Sequence, residues 1–281
     1  MSLSDVREKF LTPSYSKRAI EIVRVVIGYT LLVRGFWSWM LLKRVYGMGL
    51  CTVPNFDWLP VIPVSGIPLF GVVWCLAAFL FMLGVRVRVT GTILILQVAY
   101  YVAMDAQLYA SHLYLMWLIC LVVTLAYYFE DAFSGTDDPS SDPKRIAYWP
   151  LFLMKTQLSI VYFFAAITKL TPGFLGGDVI VGMLRMTGLF SFPKALLVPA
   201  VVDALVWGTI ATELFLSFAF WWKTTRRSAC LIGLGFHLFI LVWIAPGNFW
   251  ELVVFALEMF ALYSAFFWKP IKPPEGEVID D

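Results

Sequence analysis

Residues 155–177 read KTQLSIVYFFAAITKLTPGFLGG. An uninterrupted run from Leu158 to Thr168 has the composition of a buried helix, and Lys169 closes it just before Thr171, Pro172 and Gly173, which stop a helix. A lysine therefore stands at the mouth of an apolar helix. Long amines near helix ends reach out to lipid headgroups, which makes Lys169 an anchor on one reading. An apolar mouth also strips water from the charged form of an amine, so on the other reading a neutral amine is available as a general base.

The composition around this stretch is that of a membrane protein. Of 281 residues, 60% are hydrophobic and 14% charged, too few charges to cover a water-soluble domain. Several apolar runs reach the roughly 18 to 25 residues that cross a hydrocarbon core about 30 Å thick. They lack the alternating polarity of a membrane β-barrel. The expected fold is all-α, a polytopic transmembrane helical bundle of about eight spans in one membrane domain over residues 19–268. The runs are Ala19 to Leu42, Ile67 to Gly84, Val89 to Leu108, His112 to Phe129, Tyr148 to Leu170, Leu196 to Trp222, Ala229 to Ala245 and Phe249 to Trp268. Met1 to Ser16 is polar, without the apolar core and small-residue cleavage site of a signal peptide, so the first run is expected to be retained.

Lysine and arginine test the span count, because they concentrate in cytoplasmic connections. Arg7, Lys9, Lys17, Arg18, Arg86, Arg88, Lys144, Arg145, Lys223, Arg226, Arg227, Lys269 and Lys272 fall on one side, and Lys43, Arg44, Arg185 and Lys194 on the other, 13 against 4. The segment 1–18 and the tail 269–281 are therefore both expected in the cytoplasm. His112 begins the fourth span and Lys169 ends the fifth, so both are expected at the outer face. A net charge of +2 gives no reason to expect a nucleic-acid partner. Four cysteines without a CxxC pair and only two histidines give no reason to expect a metal.

The connection from Thr171 to Ala195 carries Gly176, Gly177, the apolar Val179 to Leu184 and Arg185, and reads either as a short helix lidding a cavity or as a surface loop. The connection Glu130 to Arg145, with five carboxylates among Ser, Pro and Gly, reads as a solvated loop. Charges inside spans usually face one another or a cavity. Arg24 is expected to pair with Glu21 one turn away. Arg34, Asp105 and Asp203 lie toward the outer half, where they could surround the same cavity as Lys169, while Glu213 and Glu258 are deeper and expected to pair within the bundle. His237, within the seventh span, reads either as a core histidine paired to a carboxylate or as a support for catalysis. Tyr162, Phe163 and Phe164, within two turns of Lys169, offer rings on which a flat quinone would stack.

Three motifs give this pattern a relative. QLSIVYFFAAITKLTPGFLGGDVI at 157–180, SHLYL opening the previous span at 111–115 and GLGFHLFIL at 233–241 resemble the HTTM domain family, whose best known member is the vitamin K-dependent gamma-glutamyl carboxylase. The resemblance covers most of the chain. It implies an oxygen-dependent enzyme of the outer membrane face using a reduced quinone, vitamin K hydroquinone or menaquinol, in epoxidation, carboxylation with carbon dioxide, or both. Lys169 matches the family's base through its ITKL ending, and His112 matches the active-site histidine through its Ser-His-Leu-Tyr setting. Arg185 falls where the family carries an arginine, and His237 matches a histidine of the later GFH motif. Arg185, His237, Tyr162, Arg34 and Asp105 are the candidate substrate and cofactor contacts. Thr168 stands where the carboxylase has a second lysine. The carboxylase also has a lumenal domain that holds its substrate propeptide, whereas this chain closes with PPEGEVIDD, so the quinol half of the chemistry is expected rather than the peptide half. The expected partners are membrane lipids and quinone, with the acceptor, small molecule or peptide, left open. The expected location is a multi-pass position in the cytoplasmic membrane if the source is prokaryotic. Rival expectations are a transporter or accessory membrane protein, or an electron-transfer subunit that binds quinone without oxygen chemistry.

Overall fold

Backbone amides that lose water must be satisfied within their own segment, and the apolar runs do this as helices. A computed structural model describes residues 11, 15–50, 52–133, 145–185, 190–243 and 249–270. The helices are α1 (Arg18–Gly47), α2 (Ile67–Leu83), α3 (Val87–Met104), α4 (Ser111–Phe133), α5 (Trp149–Thr168), α6 (Pro172–Leu175), α7 (Asp178–Arg185), α8 (Pro199–Ala219), α9 (Arg226–Trp243) and α10 (Phe249–Ser264). Two-residue strands β1 (Tyr15–Ser16) and β2 (Arg145–Ile146) pair antiparallel. The acidic connection, at 134–144, lies outside the described residues, as do Cys51, most of the N-terminal segment and most of the tail.

The fold is all-α, and each of the eight expected runs coincides with a helix. Six helices among the described residues are long and apolar enough to cross a membrane: Val64–Leu83, Val87–Met104, Ser111–Phe129, Trp149–Thr168, Pro199–Ala219 and Arg226–Trp243. The first and last expected spans fall outside this set. Along its 30 residues α1 carries Arg18, Glu21, Arg24, Arg34, Lys43 and Arg44, and α10 has 16 residues, fewer than the roughly 20 a bilayer asks for.

Contacts divide the chain into two units, Met1–Leu153 with Phe267–Asp281, and Met154–Phe266. In the first, α1 and α2 approach closely at a glycine. A Cβ placed on Gly28 would lie 2.7 Å from the Cα of Met82, so only hydrogen fits there. The indole of Trp74 donates to the carbonyl of Leu31 on α1 at 3.0 Å. Arg24 is buried, and its guanidinium donates to the carbonyls of Phe81 and Met82 rather than pairing with Glu21. Those carbonyls lie in the last turn of α2, where the Phe81 carbonyl also accepts from the Gly84 amide at 3.1 Å and a cation meets the negative end of the helix dipole.

Asp105 has a comparable structural task. Fully buried, it caps the short turn Ala106–Leu108 by accepting from the Gln107 amide at 2.9 Å. It also accepts from the Val53 amide at 3.3 Å and the Tyr46 hydroxyl at 3.1 Å. The carboxylate thus ties the connection after α1 to the end of α3. Asp105→Ala leaves those donors unmatched and is expected to cost about 1–3 kcal/mol. Limited proteolysis should then cut near residues 52–63 faster than in the parent protein, and an unchanged cleavage rate would mean that the connection is held by other contacts.

In the second unit, α8 is the central element. Val202, Val206 and Ile210 repeat at four-residue spacing and form one buried stripe with Ala166 of α5, Phe174 of α6, and Ile180 and Leu184 of α7. The connection after Lys169 is thus a packed helical hairpin, which is the helical alternative of the two readings. Gly177 permits the turn between α6 and α7 with φ +82°.

Candidate functional site

Lys169 follows the last residue of α5, where Thr171, Pro172 and Gly173 turn the chain into α6. Its ammonium does not extend outward. It folds back along its own helix, donating to the Ala165 carbonyl at 3.1 Å and to both carboxylate oxygens of Glu213 at 2.8 Å. The side chain of Lys169 is 25% exposed and that of Glu213 6%. The amine lies 5.8 Å from the centroid of the Phe174 ring, which closes one side of the pair. The solitary amine in an apolar mouth is thus replaced by an ion pair walled by an aromatic ring.

Glu213, expected from the sequence to pair within the bundle, does so, and what the sequence did not show is that its partner is Lys169. Glu213 lies 14 residues beyond Pro199, about 21 Å along α8 at 1.5 Å per residue, whereas Asp203 lies in the first turns of α8 and is exposed. The antiparallel register of α5 and α8 explains the choice. Trp221 donates its indole to Ser159 at 2.8 Å, Phe163 meets Phe218 edge-on, and Lys169 meets Glu213. α5 therefore ends opposite the middle of α8, and the α6–α7 hairpin covers the rest. The sequence signal was a buried carboxylate needing a cation.

Below Lys169 on α5, Tyr162 is 2% exposed. Its hydroxyl lies 2.9 Å from Nε2 of His237 on α9 and also hydrogen-bonds the hydroxyl of Tyr263 on α10. His237, 3% exposed, is surrounded by the rings of Phe236, Phe255 and Phe260. The partner of this histidine is a phenol rather than the carboxylate considered from the sequence. Gly233, one turn before His237, leaves room for the Tyr263 hydroxyl, because a Cβ there would collide with it. Buried polar groups need such partners, and here three satisfy one another.

The remaining sequence candidates lie on other elements. Arg185 is exposed at the end of α7, where a cation meets the negative end of the helix dipole. His112, half-buried in the first turn of α4, belongs to the first unit, as do Arg34, buried on α1, and Asp105 with its capping task. Of the candidates, the second unit joins Tyr162 to His237 directly and places Lys169 two turns from Tyr162 on the same helix. Among the described residues no group of three or more His, Cys, Asp or Glu is arranged to hold a metal ion.

A family model described as the HTTM domain matches residues 14–267. No solved structure matches the chain.

Proposed function

The chain belongs to the HTTM domain family, which is linked to the membrane domain of the vitamin K-dependent carboxylase, and from that membership we propose an integral membrane enzyme acting on a quinol or another lipophilic substrate with oxygen. The observation that carries the proposal is the Lys169–Glu213 ion pair at a helix end, with a quarter of the lysine side chain still open. In this reading all eight runs span the membrane, both termini are cytoplasmic and the site faces outward.

The residues suit an aromatic alcohol. Glu213 accepts a proton from the Lys169 ammonium within the pair, and the freed amine then accepts the proton of a substrate hydroxyl. Phe174 covers one side of the pair and limits competition from water. Phe164, 57% exposed and five residues before Lys169, offers a ring to a substrate arriving laterally through the lipid. A quinol, when bound, supplies the acidic hydroxyl and the electrons that oxygen chemistry consumes. His112 enters this reading as a hydrogen-bond donor through its sequence setting alone, and Arg185 as an anion contact.

The test is oxygen consumption by the reconstituted protein given reduced menaquinone or vitamin K, with the quinone epoxide measured as product. Oxygen-dependent epoxide formation supports the reading. Quinol oxidation without epoxide would favour an electron-transfer subunit, and no reaction with either quinol would remove the assignment.

A further inference from the structure

The Tyr162, Tyr263 and His237 cluster has no part in proton transfer at Lys169, yet it is built like a working site. A phenol held on an imidazole nitrogen can lose an electron at low cost if its proton moves to that nitrogen in the same event, because neither a charged phenol radical nor a phenolate then forms in a dry environment. Tyr162 meets these conditions. Its hydroxyl is 2.9 Å from Nε2 of His237, both residues are at most 3% exposed, and phenylalanine rings around the imidazole keep water away. Tyr263, hydrogen-bonded to the same hydroxyl and stacked on Phe220 with ring centroids 4.6 Å apart, holds the phenol in place.

We propose that Tyr162 is a redox-active tyrosine with His237 as its proton acceptor. One electron leaves the phenol for an oxygen-centred radical oxidant of the reduced-oxygen, peroxyl-type class. The O–H bond breaks, its proton forms an N–H bond at Nε2, and the products are a neutral phenoxyl, an imidazolium and the singly reduced oxidant. Returning an electron and the same proton restores the phenol. The position fits: Tyr162 and Lys169 are seven residues apart on one helix, about 10.5 Å along its axis and on the same face. Across such a stretch of packed protein, electrons tunnel faster than an enzyme turns over. The source of the oxidant rests on the quinol reading above, whereas the phenol–imidazole couple does not.

Two measurements on the membrane-reconstituted full chain separate these points. In the first, a flash-generated ruthenium(III) tris-bipyridine oxidises the protein without quinol, and electron paramagnetic resonance follows the radicals. The expected result is a long-lived tyrosyl signal that disappears in Tyr162→Phe and decays at least tenfold faster in His237→Gln. A long-lived signal of parental size in Tyr162→Phe would overturn the proposal, as would a decay unaltered by His237→Gln. Matching thermal unfolding of variants and parent guards against a folding defect. In the second, quinol turnover by Tyr162→Phe should lose about tenfold in kcat at constant KM. Parental kcat overturns the redox role in turnover even if the radical forms. Absence of turnover in the parent removes the quinol reading, and the first measurement then decides the couple alone.

Discussion

Lys169→Met is expected to lower quinol turnover by about 100- to 10,000-fold, the range that a positioned general base contributes. It should also destabilise the protein, because Glu213 keeps a buried carboxylate whose cation has gone. Breaking a fully buried ion pair from one side costs about 3–5 kcal/mol. Water reaching the quarter-exposed lysine lowers that to about 2–3 kcal/mol, or roughly a 5–10 °C fall in Tm. A lost activity could then be blamed on lost structure. Lys169→Met/Glu213→Gln separates the two, since a neutral amide beside a thioether leaves no buried charge and should recover most of the Tm. If the pair is the base, activity stays at the level of the single variant. Recovery of turnover along with Tm would show that the pair only holds α5 to α8, and parental turnover in Lys169→Met would remove the base assignment.

The sequence made the helices legible because length and apolar composition are properties of a segment by itself. The ends of α5 and α8 were equally local, set by Thr171, Pro172 and Gly173 on one side and Pro199 on the other. The partner of Lys169 was not, because it depends on how far α5 slides along α8. That offset is fixed by paired contacts such as Ser159 with Trp221 and Phe163 with Phe218, whose members lie far apart in the chain. Reading depth from span ends placed Asp203 near the level of Lys169, whereas the offset brings Glu213 there. The same limit applies to Arg24. Glu21 is its neighbour by helical spacing, but two carbonyls in the last turn of α2 offer acceptors that no local rule reveals. Tyr162 was picked for its ring, and it is the hydroxyl that the tertiary structure uses, through His237 and Tyr263 on two later helices.

Gly28→Leu is expected to give the largest purely structural effect, and the reason lies in the solvent. In lipid, apolar side chains gain little by leaving their surroundings, so helices associate through close packing and small residues at the contact. Gly28 faces the backbone of Met82, and even the first carbon of a side chain would come within 2.7 Å of its Cα. Backbone atoms cannot rotate away as a side chain end would, so α1 and α2 must separate. Their separation would also pull the Arg24 guanidinium from the Phe81 and Met82 carbonyls and the Trp74 indole from the Leu31 carbonyl. Overpacking alone costs about 1–3 kcal/mol, and each of the three hydrogen bonds lost in the opening adds about 1 kcal/mol, so a Tm lower by roughly 10–20 °C is expected. Ile22→Leu, at an exposed position on the same helix, should leave Tm within about 1–2 °C of the parent. If Gly28→Leu also left Tm unchanged, α1 and α2 would have to be held together elsewhere, and the close approach at Met82 would contribute nothing to stability.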